Sequence, residues 1–256
     1  MASTESVLQP PDQNLPGRIA AVAPVWNTVL LLAILLAVTL LQTVAQTMPG
    51  VAGRAAHLSS RVPTYIFTMC YEFFLLGLVW LGLWLRRVRL RDIIGGRWAR
   101  WKDFWTDVGV AFIFWLVILG VLTALSYALH FNGAEAASFL MPQTVPEMIL
   151  WVVLAVSAGF CEELVFRGYL QRQFLALTQN VVAAVILQGL VFGVAHGYQG
   201  LRAIPVISVY GMMFGALAAM RKSLRPGMMQ HATQDGVSGI AYHFASRLHH
   251  LPLIRF

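Results

Sequence analysis

The sequence is poor in charged residues, which make up only 11% of the chain against about a quarter in a typical soluble domain. Four long stretches carry almost no charge. No Asp, Glu, Lys or Arg occurs in 19–53, 108–134 or 173–201, and Glu72 is the single charged residue in 62–85. Roughly 20 apolar residues cross the ~30 Å hydrocarbon core of a bilayer, and several segments meet this requirement. The lack of charge therefore excludes an ordinary soluble protein and indicates a helical protein that crosses the membrane several times.

Cysteine is also scarce, with two residues in the whole chain. Cys70 and Cys161 both lie in or beside apolar stretches, and their spacing is not that of a metal site or a disulfide framework. Cys161 directly precedes a glutamate, but nothing in the sequence marks its thiol as activated. We therefore expect both cysteines to be small buried side chains.

Several catalytic and binding motifs are absent. The chain has no HExxH zinc-protease motif, no glycine-rich phosphate loop and no Ser-His-Asp order. The net charge of +7 would suit a nucleic-acid-binding protein, but much of it lies in RRVRLRDIIGGRWARWK (86–102), between two apolar spans. A short basic loop beside membrane helices is typical of the cytoplasmic side. We therefore expect a lipid bilayer around the chain and no nucleic-acid partner.

The apolar stretches predict an all-α, polytopic membrane protein with about seven to eight transmembrane or partly inserted helices. The predicted helices lie at 25–47, 64–85, 107–130, 147–172, 180–197, 203–221 and 227–247. Residues 1–23 lack the basic region of a signal peptide and are rich in proline, so we predict a short disordered lead-in. Residues 24–256 then form a single transmembrane domain, with a motif-bearing core at 147–247.

The basic loop predicts the orientation of the chain. With 86–102 in the cytoplasm, the N-terminus is cytoplasmic as well. The loop at 131–146 then faces the other side of the membrane, and it contains no Lys or Arg.

Three charged residues follow an apolar run within the fourth predicted helix. Glu163 and Arg167 are four residues apart, so they lie on nearly the same helix face and are expected to pair. Glu162 points roughly a quarter-turn away and remains free. An unneutralised charge at the bilayer centre costs ~2.5–3.5 kcal/mol on insertion scales. A structural salt bridge needs one acid, so the second acid indicates a function.

Further polar residues occur in the later apolar helices. His196 ends the stretch GLVFGVAH, and His231 and Asp235 lie four residues apart on one face of the last predicted helix. Several costly groups in one membrane are most simply explained by a shared polar cavity. Glu72 in the second helix has two interpretations: a functional carboxylate, or a structural one that pairs with a basic group or lies near water.

A hydrolytic site is one chemistry that such a cavity supports. A glutamate serves as general base and histidines orient water or donate hydrogen bonds. Glu162 with His196 would activate water, and His231 would stabilise charge on the scissile carbonyl oxygen. Alternatively, glutamate and histidine ligate a divalent metal.

Three short motifs occur in a fixed order on successive apolar helices. EELVFR (162–167) fits EExxxR, FGVAH (192–196) fits FxxxH, and HATQD (231–235) fits HxxxN/D. In this combination they resemble the CPBP family, also called Abi or CAAX protease and bacteriocin-processing proteins. The family includes the type II CAAX prenyl endopeptidases, which are regarded as glutamate-dependent intramembrane proteases. Residues 1–145 match it only as generic apolar spans.

The resemblance implies roles for the individual residues. Glu162, the first glutamate of the motif, would activate the water together with His196. Glu163 and Arg167 would support that site, while His231 and the last motif residue would contribute to an oxyanion site. The resemblance implies no metal or other cofactor.

Asp235 departs from the well-studied prenyl proteases, which have asparagine at the last motif position. An amide donates a hydrogen bond, whereas an ionised aspartate only accepts and repels an oxyanion. Two interpretations remain: Asp235 is protonated, or it orients His231 and leaves the donation to the imidazole. We favour the second.

These observations predict a glutamic-type intramembrane endopeptidase that cuts a membrane-associated protein or peptide. Two other functions fit the sequence less well: a non-catalytic immunity or scaffold protein of the same family, and a proton-coupled transporter. A transporter is expected to show two related halves with broken helices, and the sequence shows no such duplication. The compact chain resembles bacterial members, which predicts the cytoplasmic membrane as its location.

Overall fold

The computed structural model describes residues 18–47 and 60–249. Within these residues the chain forms ten α-helices and no strand. In chain order the helices are α1 (Val25–Thr47), α2 (Val62–Leu85), α3 (Leu90–Ile94), α4 (Trp101–Ala128), α5 (Gly133–Ala137), α6 (Val145–Glu162), α7 (Gln171–Thr178), α8 (Val181–Ala195), α9 (Ala203–Arg221) and α10 (Arg225–His249). A π-helix (Glu163–Leu170) joins α6 to α7, and two single 3₁₀ turns lie at Ser138–Leu140 and Gly197–Gln199.

The predicted all-α, polytopic architecture is confirmed. Five stretches of the described chain are long and apolar enough to cross a membrane: Val25–Ala45, Val62–Leu85, Trp101–Ala128, Val145–Thr178 and Ala203–Arg221. Helix α8 is apolar but shorter, and α10 is too polar to meet the same criterion. Large apolar side chains such as Leu41, Phe67 and Val182 point outward on these helices, as expected of surfaces that face lipid.

Two predictions about single elements were wrong. The third span begins at Trp101 rather than at residue 107, because the Asp103 carboxylate accepts a hydrogen bond from the Arg100 amide (3.0 Å) and so caps an earlier start of the helix. Cys70 was expected to be buried, but it is exposed on the outward face of α2. An apolar stretch does not show which of its faces meets the protein and which faces lipid.

The predicted lead-in falls mostly outside the described residues, which begin at 18. From that point the backbone runs beside α7, where Gln173 receives hydrogen bonds from the amides of Val22 (2.8 Å) and Ala23 (3.2 Å). The same side chain donates to the Ala23 carbonyl (3.0 Å) and to Thr28 (2.6 Å). One buried glutamine thus attaches the start of α1 to the helix that carries the motif.

The loops lie at two opposite ends of the helical bundle. At one end, the Leu224 amide donates to the Ile94 carbonyl (2.9 Å), and Arg172 donates to the Ile93 carbonyl (3.1 Å). The basic 86–102 loop and the turn between α9 and α10 are therefore on the same side. At the other end, the rings of Phe139 and Tyr198 lie 6.4 Å apart.

The end of the bundle that carries the 86–102 loop, here called the basic end, is stabilised by buried Asp107. Its carboxylate lies 3.2 Å from Arg221 and 3.3 Å from Arg225, and it accepts a hydrogen bond from the Trp98 indole (2.8 Å). The guanidinium of Arg225 also lies 5.0 Å from the centre of the Trp98 ring. These contacts join α4, α9, α10 and the basic loop.

Glycines allow the motif helices to approach closely. A Cβ atom at Gly159 in α6 would lie 2.7 Å from the Ala232 amide nitrogen in α10, so a side chain at this position requires the helices to separate. A Cβ atom at Gly193 in α8 would lie 2.6 Å from the Ile204 carbonyl oxygen in α9. This packing brings the polar residues of α6, α8, α9 and α10 within reach of one another.

Candidate active site

The first motif spans a change of helix type. Helix α6 ends at Glu162, and the chain continues without a break into the π-helix, in which, for example, the Gln171 amide bonds to the Phe166 carbonyl five residues back. All eight residues of the π-helix are buried. The sequence predicted a regular α-helix here, which was wrong. The π-helix is favoured by packing on all sides, which no local pattern encodes, and π segments are frequent at functional sites.

Glu163 and Arg167 form the ion pair expected from their spacing. Glu163 Oε1 lies 2.9 Å from Arg167 Nη1, and both side chains are at most 1% exposed. Arg167 Nη2 also donates to the Gly211 carbonyl (3.3 Å). The guanidinium lies 4.3 Å from the centre of the Phe192 ring and 4.9 Å from that of Phe214. Charge, hydrogen bonding and cation–π contact together offset the cost of burying this arginine.

His231 connects the two glutamates. Its Nδ1 lies 3.1 Å from Glu163 Oε1, and because a carboxylate paired with an arginine accepts, Nδ1 carries the proton and donates. The other ring nitrogen, Nε2, lies 3.7 Å from Glu162 Oε2 and 3.6 Å from Asp235 Oδ2. One imidazole therefore faces three carboxylates, and the sequence did not predict its bond to Glu163.

The orientation of the His196 ring is set by Phe192, the first residue of the FxxxH motif. Its Nδ1 lies 2.8 Å from the Phe192 carbonyl oxygen, which only accepts, so Nδ1 donates. In the neutral ring Nε2 is then an acceptor with an in-plane lone pair. The FxxxH spacing thus orients the imidazole through a backbone bond at the end of α8.

Four of the predicted site residues line one cavity of about 1210 Å³: Glu162, His196, His231 and Asp235. Glu163 and Arg167 are not part of its lining and lie behind it. The cavity extends to the 131–141 segment, and no described residue of the basic end lines it. The predicted polar residues therefore share one cavity, whose lining is otherwise mostly apolar, and the supporting ion pair lies behind its wall.

Glu72 lines the same cavity from α2. Its Oε2 accepts a hydrogen bond from Ser157 Oγ at 2.6 Å, and the side chain is buried. The carboxylate interacts electrostatically with Glu162, His231 and Asp235. The hydrogen-bond partner of Glu72 is thus the Ser157 hydroxyl on α6, and Glu72 itself is part of the cavity wall.

Two tyrosines of the cavity were missed from the sequence, where aromatic residues are too common to stand out. Tyr198 lies beside His196, with ring centres 5.8 Å apart, and Tyr210 lies 5.9 Å from His231. Burial raises the pKa of the Tyr198 phenol, and the nearby Glu162 carboxylate raises it further, so the hydroxyl keeps its proton. Each histidine of the cavity therefore has a phenol as neighbour.

The acidic and histidine side chains are not arranged as a metal centre. Within residues 18–47 and 60–249, no group of three or more His, Cys, Asp or Glu side chains has the geometry to hold a metal ion. Cys161 lines the cavity and is buried, and its Sγ lies 4.0 Å from Ser157 Oγ. Among the described residues, the groups that act on its thiol are Glu72, Glu162 and Ser157, and none of them is a cation that would activate it.

A family model described as type II CAAX prenyl endopeptidase Rce1-like matches residues 144–237. This part of the chain is therefore similar to the Rce1-like CAAX protease family. The match begins at Thr144, the residue that caps α6, and ends within α10. It therefore contains all three motifs and the four predicted site residues that are among the lining of the cavity. Comparisons with curated proteins and with solved structures gave no match. At the family level this match supports a CAAX-type protease, a hydrolase with a peptide or protein substrate, and the apolar helices indicate a multi-pass membrane protein.

Proposed function

We propose that the protein is a glutamic-type intramembrane endopeptidase in which a water activated by Glu162 attacks the scissile carbonyl of a membrane-associated protein or peptide. One observation carries the proposal: Glu162 lines a cavity together with two histidines, while the adjacent Glu163 is neutralised by Arg167. Among the described residues, Glu162 is thus a carboxylate without an arginine partner, beside groups that bind water.

Glu162 is the proposed general base. Its side chain is 21% exposed, so the carboxylate is reached from the cavity, and its Oε2 has no hydrogen-bond partner among the described residues. His196 presents Nε2 as an acceptor because Nδ1 is bonded to the Phe192 carbonyl. A water held between the two groups gives one proton to Glu162 as its oxygen attacks.

The reaction then proceeds in two steps, formation and collapse of a tetrahedral intermediate. The water oxygen forms a bond to the carbonyl carbon, and the electron pair of the C=O π bond moves to oxygen to give a tetrahedral oxyanion. When the C=O bond re-forms, the C–N bond breaks and the proton held by Glu162 passes to the leaving amine. No metal or cofactor enters either step, so positioned side chains supply the catalysis.

His231 and Asp235 form the proposed oxyanion side of the site. Asp235 Oδ2 lies 3.6 Å from His231 Nε2, which supports the interpretation that the aspartate orients and polarises the imidazole. Glu163 holds the opposite side of the ring through Nδ1 at 3.1 Å. Both carboxylates favour the positive imidazolium that attracts an oxyanion.

Glu163 and Arg167 support the site without touching substrate. The ion pair neutralises the second carboxylate and fixes the oxygen that accepts the hydrogen bond from His231 Nδ1. Arg167 in turn reaches the backbone of α9 at Gly211. The pair therefore sets the position of the imidazole relative to Glu162.

The proposed location is the cytoplasmic membrane of a bacterium, with the N-terminus and the 86–102 loop in the cytoplasm. The basic residues of that loop, Arg172 and the turn between α9 and α10 all lie at one end of the bundle. Such an excess of positive charge favours the cytoplasmic side.

The experiment is a comparison of cells that carry the wild-type chain, Glu162→Gln or Glu135→Gln. Glu135 is exposed in the outer loop and does not line the cavity, so it provides a matched control. Mass spectrometry of membrane and secreted peptides is expected to show products that Glu162→Gln lacks and Glu135→Gln retains at equal protein levels. We call these the Glu162-dependent peptides. A Glu162→Gln variant with the full set of products would favour the scaffold function instead.

A further inference from the structure

Tyr210 is one of the residues that line the cavity, and its hydroxyl oxygen is buried. Its ring packs 4.7 Å from Phe214 and 5.9 Å from His231, measured between ring centres. The hydroxyl interacts electrostatically with Asp235, yet it has no hydrogen-bond partner among residues 18–47 and 60–249. Buried hydroxyls are normally bonded, so an unsatisfied O–H beside the histidine points to a ligand that accepts from it.

His231 has at most one nitrogen left to donate to the oxyanion. His231 Nδ1 bonds to Glu163, and its Nε2 faces the carboxylates of Glu162 and Asp235 at 3.7 and 3.6 Å. Ionised Asp235 is itself an acceptor and has no proton to donate. The prenyl proteases carry an amide at the position of Asp235. With an aspartate there, the oxyanion has one neutral hydrogen-bond donor fewer.

We propose that Tyr210 is a catalytic residue whose hydroxyl donates a hydrogen bond to the oxyanion, in place of the amide that Asp235 lacks. The inference rests on the proposed function and deepens it. The phenol keeps its proton throughout, because it stabilises the developing charge by hydrogen bonding and transfers nothing. A neutral phenol also tolerates the neighbouring carboxylates, which a fixed anion would not.

Tyr198 is the other phenol beside a cavity histidine, and its contacts argue for a different position. Its ring lies 5.8 Å from His196, on the side where water is activated, and its hydroxyl accepts a hydrogen bond from Gln199 at 3.3 Å. Tyr210 lies beside His231, which is the oxyanion side. The geometry therefore assigns the donor role to Tyr210.

The first test compares Tyr210→Phe with Tyr127→Phe and Tyr198→Phe. Tyr127 is 84% exposed and does not line the cavity, so it controls for loss of a phenol. The readout is the yield of the Glu162-dependent peptides in cells, followed by kcat and KM of the purified variants on a synthetic peptide spanning one of the cleavage sites found. Tyr210→Phe is expected to lower kcat by at least about 10²-fold with KM within a few-fold, as for loss of one oxyanion donor.

A second variant distinguishes an oxyanion donor from a packing residue. Asp235→Asn introduces the missing amide donor, so the double variant Tyr210→Phe/Asp235→Asn is expected to recover at least about tenfold of the lost kcat. A residue that only packs against His231 gives no such recovery. Failure of the double variant to recover any activity would overturn the donor role.

The remaining outcomes separate this inference from the proposed function. If Tyr210→Phe gives the wild-type peptide yield while Glu162→Gln abolishes it, the protein is a protease and the Tyr210 proposal is wrong. The same holds if Tyr198→Phe loses kcat and Tyr210→Phe does not. If no peptide depends on Glu162, the proposed function fails and the role of Tyr210 fails with it.

Discussion

His231 donates from Nδ1 to Glu163 Oε1 at 3.1 Å, and the same oxygen lies 2.9 Å from Arg167 Nη1. A single carboxylate oxygen thus joins the buried arginine to the imidazole that faces Glu162. This relationship explains why two adjacent glutamates occur in the motif. One anchors the ion pair and the histidine, and the other remains accessible from the cavity.

Replacing His231 tests that connection. His231→Asn retains a polar side chain but cannot contact Glu163 and Asp235 from two opposed ring nitrogens. We expect the yield of Glu162-dependent peptides to fall by about 10²–10⁴-fold while the protein still accumulates in the membrane. His130→Asn is the matched control, because His130 is exposed and outside the cavity. Normal cleavage by His231→Asn would remove the imidazole from the mechanism.

Breaking the buried ion pair is expected to affect stability as well as activity. Glu163→Ala leaves Arg167 charged and fully buried, which destabilises a protein by about 3–5 kcal/mol. The measurement is the free energy of unfolding in detergent micelles, together with protein accumulation. Asp92→Ala breaks the exposed pair with Arg91 and is expected to change little, since both side chains are more than half exposed. Equal stability of the two variants would contradict the role of Glu163.

Chelation tests whether side chains alone catalyse the reaction. Glu162, His231 and Asp235 lie close together, but the described residues form no metal-binding group. We expect cleavage by the purified protein to persist after prolonged incubation with EDTA. Activity that disappears with the chelator and returns with added zinc would show that glutamate and histidine act as metal ligands instead.

Cysteine labelling tests the orientation of the bundle. In a Cys70→Ser background, we expect Glu135→Cys to react with a membrane-impermeant maleimide in intact spheroplasts. Arg91→Cys is expected to react only after lysis, because the proposed orientation places the basic end in the cytoplasm. Both positions are exposed, so accessibility within the protein is comparable. The reverse pattern would place the 131–141 side of the cavity in the cytoplasm.

The helices were largely predictable because their signal is local. Six of the seven predicted apolar stretches each correspond to one α-helix, and the stretch at 147–172 covers α6, the π-helix and the start of α7. Length alone sets the requirement for crossing the bilayer. Helix ends were less predictable, since the hydrogen bond from the Arg100 amide to the Asp103 carboxylate begins α4 earlier than the apolar run. The short helices α3 and α5 lie in the loops and carry too few residues for a periodic signal.

By itself, the sequence determined the all-α membrane architecture, the three ordered motifs and the pairing of Glu163 with Arg167. Charge content and four-residue spacing are properties of short segments, so no tertiary contact is needed to interpret them. The tertiary structure decided the rest: the π-helix after Glu162, the bond from His231 to Glu163, and the places of Glu72 and Tyr210 in the cavity wall. These features depend on how closely two helices approach each other at residues far apart in the chain, as at Gly159 and Ala232. Local periodicity in the sequence does not encode the distance between such helices.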